Sequence, residues 1–402
     1  VQIDIFNEIQ NPRPWTADAE QRRFRQALAQ AELADRSGYG CWWQVEHHGA
    51  EEFSLSSAPE VLLAAISQRT ERIRLGHSAV LAPSRFNHPI RVAERAATLD
   101  HLSGGRVELG LTRSTVPEWR LFNVDRDDVR AQTAAAFEMI PRMWTEERFS
   151  YSGEGFEIND VPVLPKPLQS PHPPLWQAAA SPASFEEAGR RGVGVLGTTM
   201  WESLERAERM IKLYRAAAAA CTDPVGSFVN DQVGFFTFVH CAETDEQAMR
   251  NGAAAAAAWY STRALTFFEA AADFQMAMER HQALMDAADG GGLAGEFLRA
   301  EAGDAPTPAA LLIGRILGGE QVPEDELFEV LSAQNSLIVG SPDTCREKLR
   351  AYADLGIDRL LCLHQMGGLG EEEVMTSIRL IGEVIPEFAG AAEPVGVTSA
   401  RG

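Results

Sequence analysis

Residues 41–53 read CWWQVEHHGAEEF. A short apolar, aromatic run ends in Glu46, His47 and His48, followed by a glycine and more acid. Three ionisable side chains in a row can bind a metal, move protons or form a solvated loop. Metal is the weakest of these. The H-E-x-x-H arrangement puts two histidines on one helix face, whereas neighbouring residues at a strand end point to opposite faces. No second His, Asp or Glu cluster has ligand spacing. Histidine titrates near neutral pH, so acid–base or hydrogen-bond work in a cleft is the leading reading, with a plain solvated loop as the alternative.

Two further places suit an anion. Arg113 closes the apolar run RVELGLTRS, where a guanidinium fits a phosphate; an ordinary surface arginine is the competing reading. Ser181 and Ser184, in AASPAS, open a predicted helix, whose free N–H groups and positive dipole end suit a phosphate; a plain helix cap is the alternative. One tempting motif fails. GVGVLG, residues 192–197, matches G-x-G-x-x-G, but the dinucleotide fingerprint needs its glycines between a strand and the helix that follows. Here the helix comes first, so Gly192 reads as its C-cap.

The elements that must position these residues alternate regularly. Eight apolar runs are expected as strands: VQIDIF, CWWQV, RIRLGHSAVL, RVELGLT, LWQAAA, VGVLGT, DQVGFFTFVHC and IDRLLCLH. Each precedes a stretch of helical periodicity. Strict strand–helix alternation implies a parallel sheet, and eight units imply a closed (β/α)8 TIM barrel, typically of about 250 residues. The surplus falls in a Gly- and Pro-rich excursion at 148–174 with room for a small hairpin, and in a helical insertion at about 260–335. A flexible tail at 389–402 completes the single barrel domain of 1–388. In a barrel of this kind function lies at the carboxyl ends of the strands, where Glu46–His48 and Arg113 fall.

Bulk composition narrows the partners. The 402 residues carry a net charge of −21, which argues against nucleic acid and anionic membranes, since both need a basic face. No run of about 20 apolar residues is present to span a bilayer, and the opening VQIDIFNEIQ lacks the features of a signal peptide. The five cysteines are odd in number and form no C-x-x-C, which fits reduced thiols in a cytoplasmic protein.

Taken together, EHH, the run RIRLGHSAVLAPSRFNHPIRVAERAATLDHLSGGRVELGLTRS, LWQAAASPASFEEAGRRG and VGSPDTCREKLRAYADLGIDRLLCL resemble the bacterial luciferase-like flavin monooxygenases. They occur in the same order and near the same spacings, over roughly residues 1–260 and 335–388. The resemblance implies a TIM barrel that takes reduced FMN from a separate NAD(P)H:flavin reductase. It implies that O2 adds at flavin C4a and that the resulting peroxide oxygenates a small or medium organic substrate. Carried over residue by residue, His47 and His48 match the active-site histidines, with Glu46 beside them, and the match favours His47 as the working group. Arg113, Ser181 and Ser184 match phosphate ligands, with Ala178 alongside. Ser78 and Ala79 match a non-prolyl cis peptide under the flavin ring.

There are departures. Ala180 stands where the luciferase catalytic subunit has a glutamate, and Thr112 where it has a reactive cysteine, which argues against light emission. Glu118, after a one-residue deletion, stands in for an acidic active-site residue. Trp42, Trp43, Phe53 and Trp176 are candidates for apolar walls that keep water from the flavin, or for plain barrel core. The 260–335 insertion is the candidate lid or substrate wall, with DGGGLAG at 289–295 as a hinge. The family's dimers imply a homodimer. Two rival readings remain: an F420-dependent oxidoreductase of the same superfamily, and a non-catalytic luciferase-like subunit.

Overall fold

The computed structural model describes residues 1–288, 305–388 and 398–399. Eight parallel strands, here numbered β1–β8 in chain order, form the central sheet: Gln2–Asn7, Cys41–Gln44, Arg74–Leu81, Val107–Thr112, Leu175–Ala178, Gly194–Thr198, Val233–Cys241 and Arg359–Leu363. Each pairs with its sequence neighbour, and β8 pairs with both β7 and β1, so the sheet closes into the expected TIM barrel. A short strand at Ile338–Gly340, absent from the sequence-based reading, pairs in parallel with Val239–Cys241 at the carboxyl end of β7.

Helix boundaries follow local chemistry. The helix Pro89–Ser103 starts on the His88 side chain and Pro89, and stops at Gly104, whose φ of 70° is left-handed and easiest for glycine. The helix Pro182–Arg191 starts on Ser181 and stops at Gly192 with φ 69°. Gly192 is therefore a C-cap, and the apparent dinucleotide motif is the end of a helix followed by β6.

The barrel floor is filled by large and absent side chains in alternation. Trp43 and Trp176 are fully buried and meet edge to face, with ring centroids 5.3 Å apart. A Cβ on Gly76 would lie 2.2 Å from the Trp43 ring, and one on Gly194 would lie 2.4 Å from the Trp176 ring. The indole N–H of Trp43 donates to Asp4 at 2.8 Å and that of Trp176 to Glu108 at 2.7 Å. Arg359 bridges the two carboxylates, at 3.0 Å from Asp4 and 3.3 Å from Glu108. These tryptophans belong to the amino-terminal floor, a stability layer in barrels of this kind, and not to a pocket wall. Trp42, of opposite parity along β2, faces the helices and is equally buried.

The 148–174 excursion contains an antiparallel hairpin of Phe149–Gly153 and Phe156–Val161. The insertion is helical where described, at Ala253–Phe267, Ala271–Ala288, Pro308–Leu317 and Glu324–Ser332. The expected hinge at 289–295 lies outside the described residues, as does the tail except for Thr398–Ser399, which pair with Gln169–Ser170. No described helix is long and apolar enough to cross a membrane.

Candidate active site

The loop after β2 folds back on itself at the carboxyl mouth of the barrel. The His47 N–H donates to Ser56 O at 2.9 Å, and the Ser56 hydroxyl donates to Val45 O at 2.6 Å. The two histidines then take different carboxylates. His47 Nδ1 lies 3.3 Å from Glu118 Oε1, and His48 Nε2 lies 3.2 Å from Glu46 Oε1.

Glu118 comes from a short helix, Val116–Leu121, just after β4, and is fully buried. Its carboxylate collects four donors: His47 Nδ1, the His48 amide at 3.0 Å, and the hydroxyls of Ser114 and Thr115 at 2.6 and 3.0 Å. Burial pushes this carboxyl up, but the hydrogen bond and charge of His47, with the Ser114 and His48 donors, hold it below the usual carboxylate range. Burial likewise pulls His47 down, but Glu118, Glu8 and Glu46 hold its imidazole above the usual histidine range. An ionised carboxylate only accepts, so Nδ1 carries the proton facing Glu118. Nε2 has no hydrogen bond among the described residues and is the atom left for chemistry.

Glu46 anchors the other side. Its Oε2 accepts the Leu81 amide at 3.0 Å, and Asn87 Nδ2 donates to both oxygens, at 2.9 and 3.2 Å. Leu81 ends β3, two residues beyond the Ser78–Ala79 peptide, which is cis. At this point the β3–β4 register slips between His77 and Val80. Gly110 on β4 faces the irregularity: a Cβ there would sit 2.4 Å from His77 O. Aromatic rings close over His47, with centroids of Phe53, Phe267 and Phe268 at 5.6, 5.2 and 5.8 Å. Of the four aromatics named from sequence, Phe53 alone lies against the histidines.

A second cluster lies at the rim of β4 and β5. A small, open cleft is lined by Thr112, Arg113, Arg130, Gln177, Ala178 and Arg191, among others. Arg191 is tied to Gln177 Oε1 at 2.5 Å and to Glu187 at 3.0 Å. Burial, and the like charges of Arg113 and Arg130 nearby, lower its pKa. The side chains of Arg113 and Arg130 form no ion pair or hydrogen bond among the described residues. Three guanidiniums against one carboxylate leave surplus positive charge on a chain of net −21, the electrostatics of an anion site. Sequence reasoning found Arg113 and missed Arg130 and Arg191.

Ser181 and Ser184 do not line this cleft. They are interlocked as a capping box: the Ser184 amide donates to Ser181 Oγ at 3.3 Å and the Ser181 amide to Ser184 Oγ at 3.0 Å. Ala180 is exposed beside them. Among the described residues no group of three or more His, Cys, Asp or Glu is placed to hold a metal ion.

A family model described as luciferase-like monooxygenase matches residues 5–359. The chain belongs to that family. The matched span contains every residue of both clusters. Among luciferase-like relatives, the oxygenase component of a flavin-dependent trigonelline monooxygenase from Acinetobacter baylyi is 24% identical, across 92% of this chain and 91% of that protein. Two other curated relatives are 37% identical, but the chain spans only about half their length, 52% and 46%. The crystal structure of monooxygenase RslO1 from Streptomyces bottropensis superposes with a TM-score of 0.71 at 26% identity, covering 97% of this chain and 100% of that one. The oxygenating constituent of 3,6-diketocamphane monooxygenase from Pseudomonas putida, solved with FMN, gives 0.67 at 18% identity, over 96% and 98%. An F420-dependent tetrahydromethanopterin reductase from Methanopyrus kandleri gives 0.64 at 16% identity, over 97% and 100%. These last two likenesses speak for the fold alone.

Proposed function

We propose that this luciferase-like chain is the oxygenase component of a two-component, FMNH2-dependent monooxygenase acting on a small or medium organic molecule. The observation that carries the reading is the pair of clusters at one barrel mouth: a half-buried His47 paired with the buried Glu118, and a rim cleft with two arginines that have no side-chain partner among the described residues. The residues fit the cofactor. Arg113 and Arg130 would hold the FMN phosphate, with Ala178 beside them. The Ser78–Ala79 segment would support the ring. Reduced FMN, delivered by an NAD(P)H:flavin reductase, supplies the activation of O2.

The chain's own residues do the rest. Glu118 fixes the tautomer of His47, so Nε2 is presented as the proton acceptor or, once protonated, the donor. Glu46 and Asn87 hold His48 and the end of β3 in register. Phe53, Phe267 and Phe268 keep water from the imidazole, which matters because a wet site loses reactive oxygen as peroxide.

The test is a fluorescence titration of the purified protein with FMN, riboflavin and F420, followed by oxygen uptake with a reductase and NADH. Preference for FMN over riboflavin and F420, with oxygen uptake that a substrate couples to product, is expected. Failure to bind FMN, or tighter binding of F420, overturns the reading. A homodimer in the cytoplasm is part of the same proposal, checked by sedimentation.

A further inference from the structure

Glu8 lies one residue beyond β1, at the same carboxyl mouth as His47, and is 3% exposed. Its own carbonyl accepts the Ser54 hydroxyl at 2.7 Å, which fixes the backbone. Its carboxyl Oε1 accepts the Tyr260 hydroxyl at 2.7 Å. Its Oε2 is buried and has no partner among the described residues. Tyr260 comes from the insertion helix Ala253–Phe267 and packs against Phe53 and Phe238, with centroids at 5.3 and 5.1 Å. Phe53 also lies against His47, so the imidazole and Tyr260, which holds Glu8, pack on the same ring. A carboxyl left half-satisfied in such surroundings costs stability, and an apolar side chain or an amide would pack there at less cost.

We propose that Glu8 is a positioning residue for His47: held by Tyr260, its charge acts with that of Glu118 to set when the imidazole carries its second proton. The groups that bear on Glu8 are His47, from the loop after β2, and Tyr260, from the insertion helix. Those that bear on His47 are Glu118, from the short helix after β4, Glu8, and Glu46 on its own loop. Burial pushes the Glu8 carboxyl up to about 7 against the lowering effect of His47 and the Tyr260 hydroxyl. Glu8 therefore changes charge near neutral pH, where Glu118 stays ionised. An ionised Glu8 favours the imidazolium and a protonated one releases it. The consequence for turnover rests on the flavin reading above, whereas the titration itself does not.

The experiment follows the His47 imidazole by 15N NMR in flavin-free protein labelled at histidine, with the signal assigned by its loss in His47→Asn. Glu8→Gln is expected to move the His47 midpoint to lower pH by roughly one unit, the order of shift one neighbouring charge produces. Glu8→Asp, which keeps the charge, should retain most of the wild-type midpoint. Tyr260→Phe removes the donor that favours ionised Glu8 and should move His47 the same way by less. A folded Glu8→Gln protein with an unmoved midpoint overturns the proposal. Should that variant not fold, Tyr260→Phe decides by itself, and an unmoved midpoint there overturns it too. A protein that binds no flavin would leave this result standing, so the two readings fail separately.

Discussion

Replacing Glu118 with Gln keeps the shape of the side chain and removes its charge. The wild-type carboxylate is fully buried and the His47 side chain only 14% exposed, so solvent screens the pair little. Two stability contributions are lost together. Glu118 has a folded pKa below its unfolded value, so its contribution is present above the unfolded carboxylate range and is lost as pH falls through the folded value. His47 has a folded pKa above its unfolded value, so its contribution is complete below the unfolded histidine range and is lost as pH rises through the folded value. Both are in full force between the two unfolded values, about pH 4.5 to 6.5. In that window Glu118→Gln should cost about 2–4 kcal/mol, the scale for breaking a buried, hydrogen-bonded charge pair with an isostere. Well above the folded pKa of His47 the imidazole is neutral in both states. The penalty should then shrink to that of the hydrogen bonds from the neutral His47 Nδ1–H, Ser114, Thr115 and the His48 amide, without the ion-pair attraction. Urea denaturation of both proteins at about pH 5.5 and about pH 9 measures this directly. An equal penalty at both pH values, or none at either, would refute the ion pair and with it the argument for the His47 tautomer.

Three further outcomes follow from the geometry. Arg113→Ala should weaken FMN binding about ten- to a hundredfold, from losing one charge-assisted contact of about 1.5–3 kcal/mol, and leave riboflavin binding unchanged; fluorescence titration reads both. Gly110→Ala drives a Cβ to 2.4 Å from His77 O, a backbone atom that cannot step aside, and should cost about 1–3 kcal/mol or more in urea denaturation. Arg359→Met leaves Asp4 without its buried cation and Glu108 with Arg74 as its remaining one; a loss of about 3–5 kcal/mol is expected by the same assay, with flavin binding retained in the folded fraction.

The eight strands are legible because each is an apolar run of strand length bounded by glycine, proline or a helix start. The mouth position of Glu46–His48 follows from that count and needs no coordinates. The partners of the histidines do not follow. Glu118 sits in a helix of six residues, too short to show periodicity, and only resemblance singled it out. Glu8 looks like one more polar residue in NEIQNP; its burial depends on Tyr260, which is 252 positions away. Arg130 and Arg191 carry no signal in a chain where arginine is abundant, because what distinguishes them is shared space and not spacing. Trp43 and Trp176 show the converse: residue type alone does not tell floor from wall, but parity and distance along the strand do.

The helix Ala253–Phe267 gives Tyr260 and Phe267 to the site, and Phe268 follows it, while the histidines and their carboxylates ride on loops of the first four strands. The titratable groups thus come from one stretch of the gene and most of the aromatic cover from another, and the two meet where Tyr260 holds Glu8 and where Phe267 and Phe268 lie against His47. Drift or recombination in the later stretch would change the cover over His47 and the hold on Glu8 while leaving the residues of the His47–Glu118 pair in place. The same seam marks where a chimera between two such barrels should be cut.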